Sequence, residues 1–270
     1  IQPGLPDDKF VKFFRCSNGE LLISHSQGIS KYEVSGNRFV QVYDYPAKKK
    51  PAQFIGEDEN VIYFYTVEGH ITGLTLHGLT LHSSTGTGLP DYSADTDFRP
   101  SISSNIIDHK ITIEIKDILY CWDLKKKQLI ARSAPIKALS QYFLQMRSGN
   151  EVLYYDYITK TALKSYNFNT KTSSMLIIKG KEDKHIGRCV IFPWHNKTLI
   201  SFNEHLYEFD TAKLALGPEL VNYQNEPVAG NAVIWKIIED NFGNLCIATV
   251  TEGIKKLIKN NYPIRYYGTL

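Results

Sequence analysis

The feature that most constrains this chain is how often it turns. Residues 9 to 45 parse into four short strands: KFVKFFRC, ELLISHS, ISKYEV and RFVQVYDY. Between them stand only SNG, QG and SGN. Each connection carries Gly, twice beside Asn, residues that enter the positive-φ conformations of tight hairpins at little steric cost. Four strands joined by such turns form an antiparallel meander. The rhythm returns in 53–76, 102–133, 142–168 and 189–220, and again from Trp235 onward. Six units of about 45 residues result, a period that fits four-stranded propeller blades.

Nothing in the composition opposes an all-β chain. No window sustains a 3.6-residue apolar period, so helices should be few. The chain has 270 residues, 17 of them Tyr and 13 Phe, and those aromatics favour strands. Runs such as NVIYFY and VLYY are apolar at successive positions, as expected of strands covered on both faces. The fold expected is therefore a β-propeller of four-stranded antiparallel blades, one domain over 1–270, with six or seven blades in a complete or incomplete ring.

Charge and targeting signals narrow the partners. A net charge of +3 gives no reason to expect nucleic acid or an anionic membrane. No stretch approaches the ~20 apolar residues that span a bilayer. The N-terminal IQPGLPDDKF lacks the basic and apolar regions of a signal peptide, and the chain reads as a processed or excised segment of a longer protein. Cys16, Cys121, Cys189 and Cys246 are widely spaced and read as buried free thiols, not as a metal site.

The last unit, WKIIEDNFGNLCIATVTEGIKK, resembles the two-component regulator propeller repeat. Ile237, Glu239, Asp240, Gly243, Asn244, Leu245, Ile247, Thr249 and Gly253 match that pattern, while Cys246 stands for its Trp and Ala248 for its Gly. The first unit matches at Gly4-Leu5-Pro6, Gly19, Leu21, Ile23 and Gly28. There Arg15-Cys16, Leu22 and His25 replace the usual Glu-Asp, Trp and Thr. The resemblance implies the extracytoplasmic sensor region of a bacterial hybrid two-component system. It also implies a carbohydrate fragment as ligand, a periplasmic location, seven-bladed propellers in tandem, a β-sandwich, and a histidine kinase elsewhere in the parent chain. Neighbouring domains of that chain and a second copy are the protein partners implied.

No catalytic machinery is legible. There is no GxSxG, and GTGLP at 86–90 lacks the Lys-Ser/Thr of a phosphate loop. Glu239-Asp240 reads as a turn rather than an acid–base pair. No cofactor is implied. His25, His70 and His205 each fall near the second turn of their unit. They could meet on one rim, but they come from units that are not all neighbours, which argues against a metal. Ligands of propellers bind where second turns and inter-blade connections converge. The residues expected there are Asp7, His25, Gln27, Glu68, His70, Glu204, His205 and Glu252. Tyr92 and Phe98 are expected aromatic platforms for a sugar ring. Trp235, at the start of an innermost strand, reads as core or channel lining and stands among the expected ligand contacts; Trp122 reads as core, and Trp194 as facing the opposite rim. A protein-interaction scaffold and a propeller-fold carbohydrate-active enzyme are the alternative functions.

Overall fold

A computed structural model describes residues 12–25, 27–44, 53–66, 70–76, 81–83, 89, 101–103, 105–136, 139–156, 162–177, 189–202, 204–213, 215–222, 224–240, 242–258 and 265–267. Among these there is no helix. Twenty-four strands pair into six four-stranded sheets, each in simple chain order. Sheet 1 holds β1 (Lys12–Arg15), β2 (Leu21–His25), β3 (Gly28–Glu33) and β4 (Arg38–Asp44). Sheet 2 holds β5 (Gln53–Asp58), β6 (Val61–Tyr65), β7 (Ile71–Thr75) and β8 (Leu81–Ser83). Sheet 3 holds β9 (Ser101–Ile102), β10 (Lys110–Ile115), β11 (Ile118–Asp123) and β12 (Gln128–Arg132). Sheet 4 holds β13 (Leu139–Ser148), β14 (Glu151–Asp156), β15 (Ala162–Asn167) and β16 (Thr172–Ile177). Sheet 5 holds β17 (Cys189–Trp194), β18 (Lys197–Phe202), β19 (His205–Asp210) and β20 (Ala215–Glu219). Sheet 6 holds β21 (Ile234–Glu239), β22 (Leu245–Thr249), β23 (Ile254–Leu257) and β24 (Arg265–Tyr267). The fold is a β-propeller, and six blades stand among the described residues.

The chain divides into two compact units. The first comprises Ile1–Lys137, Ser148–Val152 and Phe168–Lys171. The second comprises Ala138–Arg147, Leu153–Asn167 and Thr172–Leu270. In the first, Ile62, Phe64 and Leu74 of sheet 2 pack on Leu22 and Ile29 of sheet 1. The alternate residues Tyr65 and Ile71 pack on Ile111, Ile113 and Trp122 of sheet 3. Both faces of β6 are thereby covered, which explains its unbroken apolar run. In the second unit β18 repeats the arrangement. Ile200 and Phe202 pack on Leu153 and Leu163 of sheet 4, while Leu199 packs toward Ile237, Leu245 and Ile247 of sheet 6. Each fully buried Leu, Ile or Phe contributes about 1.5–3 kcal/mol by leaving water.

Many tight turns take residues other than Gly through positive φ. Glu59-Asn60, Asp108-His109 and Lys116-Asp117 each place two successive residues there, at +47° and +64°, +52° and +59°, and +50° and +65°. Paired positive φ values define the type I′ turn, whose twist matches that of a hairpin. Gly28 answers a different demand. A Cβ there would lie 1.9 Å from the Tyr43 carbonyl oxygen, so only glycine lets β3 approach β4 at that point.

First turns, between the first two strands of a sheet, tie neighbouring blades together. In the first unit the Ser17 N–H donates to Glu57 Oε2 at 2.8 Å. His109 Nδ1 lies 2.7 Å from Asp58 Oδ2. In the second unit the Trp194 indole N–H donates to the Gly243 carbonyl at 3.1 Å. That turn is shaped by Asp240, whose carboxylate accepts the backbone N–H groups of Phe242 and Asn244, each at 2.9 Å, and the Lys256 ammonium at 2.7 Å. The lysine, then Asn244, holds the Asp240 carboxyl well below the usual carboxylate range. The Glu239-Asp240 pair is thus a turn device.

The thiols are buried at Cys16, Cys121 and Cys189, and Cys246 is half-buried. Burial pushes Cys16 up to about 12 and Cys121 up to about 11, so neither supplies a thiolate near neutral pH.

Two outcomes are expected. Gly28→Ala should destabilise the chain by about 1–3 kcal/mol in urea unfolding, through the forced clash with Tyr43; an unchanged midpoint would contradict this packing. His109 is held above its ordinary pKa by its hydrogen bond to Asp58. Its contribution is therefore complete below the unfolded-state pKa and is lost as pH rises through the folded one. The melting temperature of the wild type should fall relative to His109→Gln between about pH 6 and 8. Parallel profiles would contradict the link.

Candidate functional site

Second turns and inter-blade connections share the side of each sheet opposite the first turns. On this side the second unit assembles a polar surface around one exposed aromatic ring. In sheet 6, Ile234 pairs with Thr249 and Lys236 with Ala248, so Trp235 is the extra residue of a β-bulge. A bulge bends its strand and re-aims a side chain. Trp235 is accordingly 55% exposed on a strand whose neighbour Ile234 is fully buried.

The turn β22–β23 and the connection entering β21 are joined just before this residue. The Val250 N–H donates to the Val233 carbonyl at 2.9 Å. The Glu252 N–H donates to Thr249 Oγ1 at 3.0 Å. The Glu252 carboxylate takes the Lys255 ammonium at 2.5 Å and a backbone N–H from Asn231. Those contacts, the lysine first, hold its carboxyl below the ordinary value. Gly230, at φ +64°, passes so close that a Cβ would stand 2.5 Å from Lys255 Nζ and 2.8 Å from Glu252 Oε2. Val228 and Ala229, just before it, are buried against Leu206 of sheet 5 and Ile234 of sheet 6. The second turns of sheets 5 and 6 therefore belong to one rim.

On sheet 5 that rim carries His205. Its Nδ1 lies 2.6 Å from Glu219 Oε1 and its Nε2 lies 3.2 Å from Glu204 Oε1. Two carboxylates hold one imidazole edge-on, with the Tyr207 ring 6.1 Å away. The group presents carboxylate oxygens, suited to hydroxyl-bearing ligands. Among the described residues no group of three His, Cys, Asp or Glu side chains could hold a metal ion.

The first unit places its candidates differently. His25 ends β2 and is wholly buried, with Nε2 2.8 Å from Ser30 Oγ and Nδ1 accepting the Gln27 N–H at 3.2 Å. Its imidazole closes the turn from inside. Gln27 is half-buried on that turn. His70 directly precedes β7, and its N–H donates to Thr66 Oγ1 at 3.4 Å. Asp7, Glu68, Tyr92 and Phe98 lie outside the described residues. Trp122 is core, 1% exposed, and Trp194 sits on the first-turn side, as the sequence predicts.

Lys255, Asn231 and Glu219 are the residues that sequence reasoning missed. Only Lys255 left a signal, three residues after Glu252 across a glycine turn. Glu219 meets His205 across a strand pair, and Asn231 acts through its backbone.

Comparison with known proteins bears on fold. No family model matches the chain, and no curated protein matches it. Among solved structures it is similar to the extracellular domain described for the hybrid two-component system BT4673 of B. thetaiotaomicron, at 14% identity and a TM-score of 0.65, over 100% of this chain and 35% of that one. It is similar to the extracellular domain described for BT3049 of the same organism, at 13% and 0.62, over 99% and 36%. It also resembles the computationally designed Ika8 protein, at 10% and 0.59, over 97% and 76%. The chain thus spans about a third of the length of the two extracellular domains. At these identities the likeness is one of propeller fold.

His25→Leu should lower stability by about 1–3 kcal/mol, because Ser30 loses its buried partner. Denaturant unfolding checks this, and a variant as stable as wild type would remove His25 from its structural role.

Proposed function

We propose that this chain is the non-catalytic, ligand-sensing propeller of an extracytoplasmic two-component sensor, and that it binds a carbohydrate fragment on the second-turn rim of sheets 5 and 6. The observation that carries the ligand reading is Trp235, turned outward by a bulge in the strand that follows the Asn231 connection, whose backbone meets the Glu252 turn. A sugar presents an apolar face to an aromatic ring and hydroxyls to charged and amide groups, and this rim offers both. Glu204 and His205 extend the polar half.

The likeness to extracellular domains of two-component systems supports the sensor half, as does the match of WKIIEDNFGNLCIATVTEGI to the regulator repeat. On this reading the parent chain is an inner-membrane protein with the propeller in the periplasm. Further propeller or sandwich domains, or a second copy, adjoin it, and a histidine kinase elsewhere in the chain reads the bound state. In the first unit, Asp7, Gln27, Glu68, His70, Tyr92 and Phe98 are proposed as ligand contacts in their own right.

One observation favours a second reading, a protein-interaction propeller. Ile238, Phe242, Val250 and Ile254 of sheet 6 are each at least half exposed. A partner covering them would make this sheet a docking face.

A thermal-shift screen against neutral oligosaccharides tests the first reading. A ligand of the folded state should raise the melting temperature by about 5 °C at a hundredfold excess over Kd. Trp235→Ala should abolish the shift without changing the unliganded melting temperature. No shift with any glycan, or a shift that survives this variant, would overturn the assignment.

A further inference from the structure

A second cavity has nothing to do with that rim. It lies within the first unit, between sheets 2 and 3, and measures about 190 Å³. Val61, Tyr63, Ile71, Gly73, Trp122, Leu124 and Lys127 line it. An apolar cavity of about 150 Å³ admits benzene, so this one has room for a single ring with a small substituent.

The backbone makes this space. Gly73 pairs with Tyr63 on one side and with His82 on the other, in the middle of its sheet. On the sheet face that packs against Trp122 it contributes no side chain. A Cβ there would stand 2.7 Å from Val61 Cγ1 and 3.3 Å from Tyr63 Cε1. Walls of Ile71 and Leu124, 2% and 1% exposed, are held by the packing of the two sheets and have no reason to collapse inward. Val61 and Lys127 bring one end of the space to the turns β5–β6 and β11–β12. At these turns Asp58 and His109 pair, as do Glu59 and Lys125, 3.3 Å apart, and bridge sheet 2 to sheet 3.

Charge selects the occupant. The carboxylates at these turns are already engaged: Asp58 is hydrogen-bonded to His109, and Glu59 faces Lys125. Lys127 lines the cavity, is exposed, and enters no ion pair among the described residues. Its backbone is set at φ +54° in a turn where Asp123 Oδ1 accepts the Lys126 N–H at 2.8 Å. The ammonium is thus carried on a shaped turn at the mouth of an apolar slot. We propose that this cavity is a binding site for a small aromatic carboxylate, its ring between Val61, Ile71 and Leu124 and its carboxylate on Lys127.

Titration of the full chain with benzoate, followed by the Trp122 indole and Gly73 amide resonances, tests this. Benzoate should shift both signals saturably, with Kd in the millimolar range, and more strongly than cyclohexanecarboxylate, whose puckered ring fits a flat slot poorly. Lys127→Met should weaken benzoate about fivefold, as a solvent-exposed ion pair would. The same variant should leave benzyl alcohol, which lacks the charge, unaffected. Val61→Met, which fills the slot with a flexible apolar chain, should abolish both ligands and hold or raise the melting temperature. Unmoved resonances at saturating benzoate, or equal binding by wild type and Val61→Met, would overturn the proposal and leave a packing gap between two sheets.

Discussion

The blades within each unit depend on the burial of both faces of their middle strands, as sheets 2 and 5 show. An isolated four-stranded sheet has two faces and can hide neither. Sheet 2 shows how the chain meets this. Ile62 and Phe64 point to sheet 1, while Tyr65, the next residue along the strand, points to sheet 3. Sheet 5 does the same with Ile200 and Phe202 on one side and Leu199 on the other. Turn frequency follows from it. Strands of four to six residues suffice for such a layer, so the chain must reverse continually.

The two sides of the sheets have been put to different uses. On the first-turn side, side chains spend their polar atoms on the next blade: Ser17 on Glu57, His109 on Asp58, Trp194 on Gly243. The Glu-Asp-x-x-Gly-Asn stretch of the last unit is part of this scheme. Asp240 folds the turn that offers Trp194 its acceptor. On the second-turn side of the second unit the polar groups bond locally and leave a surface. Glu252, Lys255 and His205 are held by neighbours in sequence or in the adjoining strand and connection. Such pre-ordering lowers the entropy that a ligand must overcome.

Much of the fold was legible, because turns and alternation are local. Asn60, Asp108 and Asp117 are short polar residues that tolerate positive φ, and they mark their hairpins from sequence alone. The site was less legible, because its parts are brought together by register. Trp235 opens an apolar strand, and its residue type alone leaves core, channel lining and ligand contact open; the bulge between Ile234 and Lys236 turns it outward. His25 sits at a second turn like His205, yet Ser30 across the hairpin draws it into the interior. Glu219 gives no sign in the sequence of its partner His205, since a strand pairing sets the two side by side.

Hydrogen exchange with and without oligosaccharide, resolved along the whole chain, is the most direct test of the claim that the second-turn rim of sheets 5 and 6 is the binding surface. The account predicts slowed exchange at 204–206, 230–233 and 249–253, with the first turns at 194–197 and 240–244 unchanged. Protection confined to the first turns, or absent from residues 230–253, would contradict it.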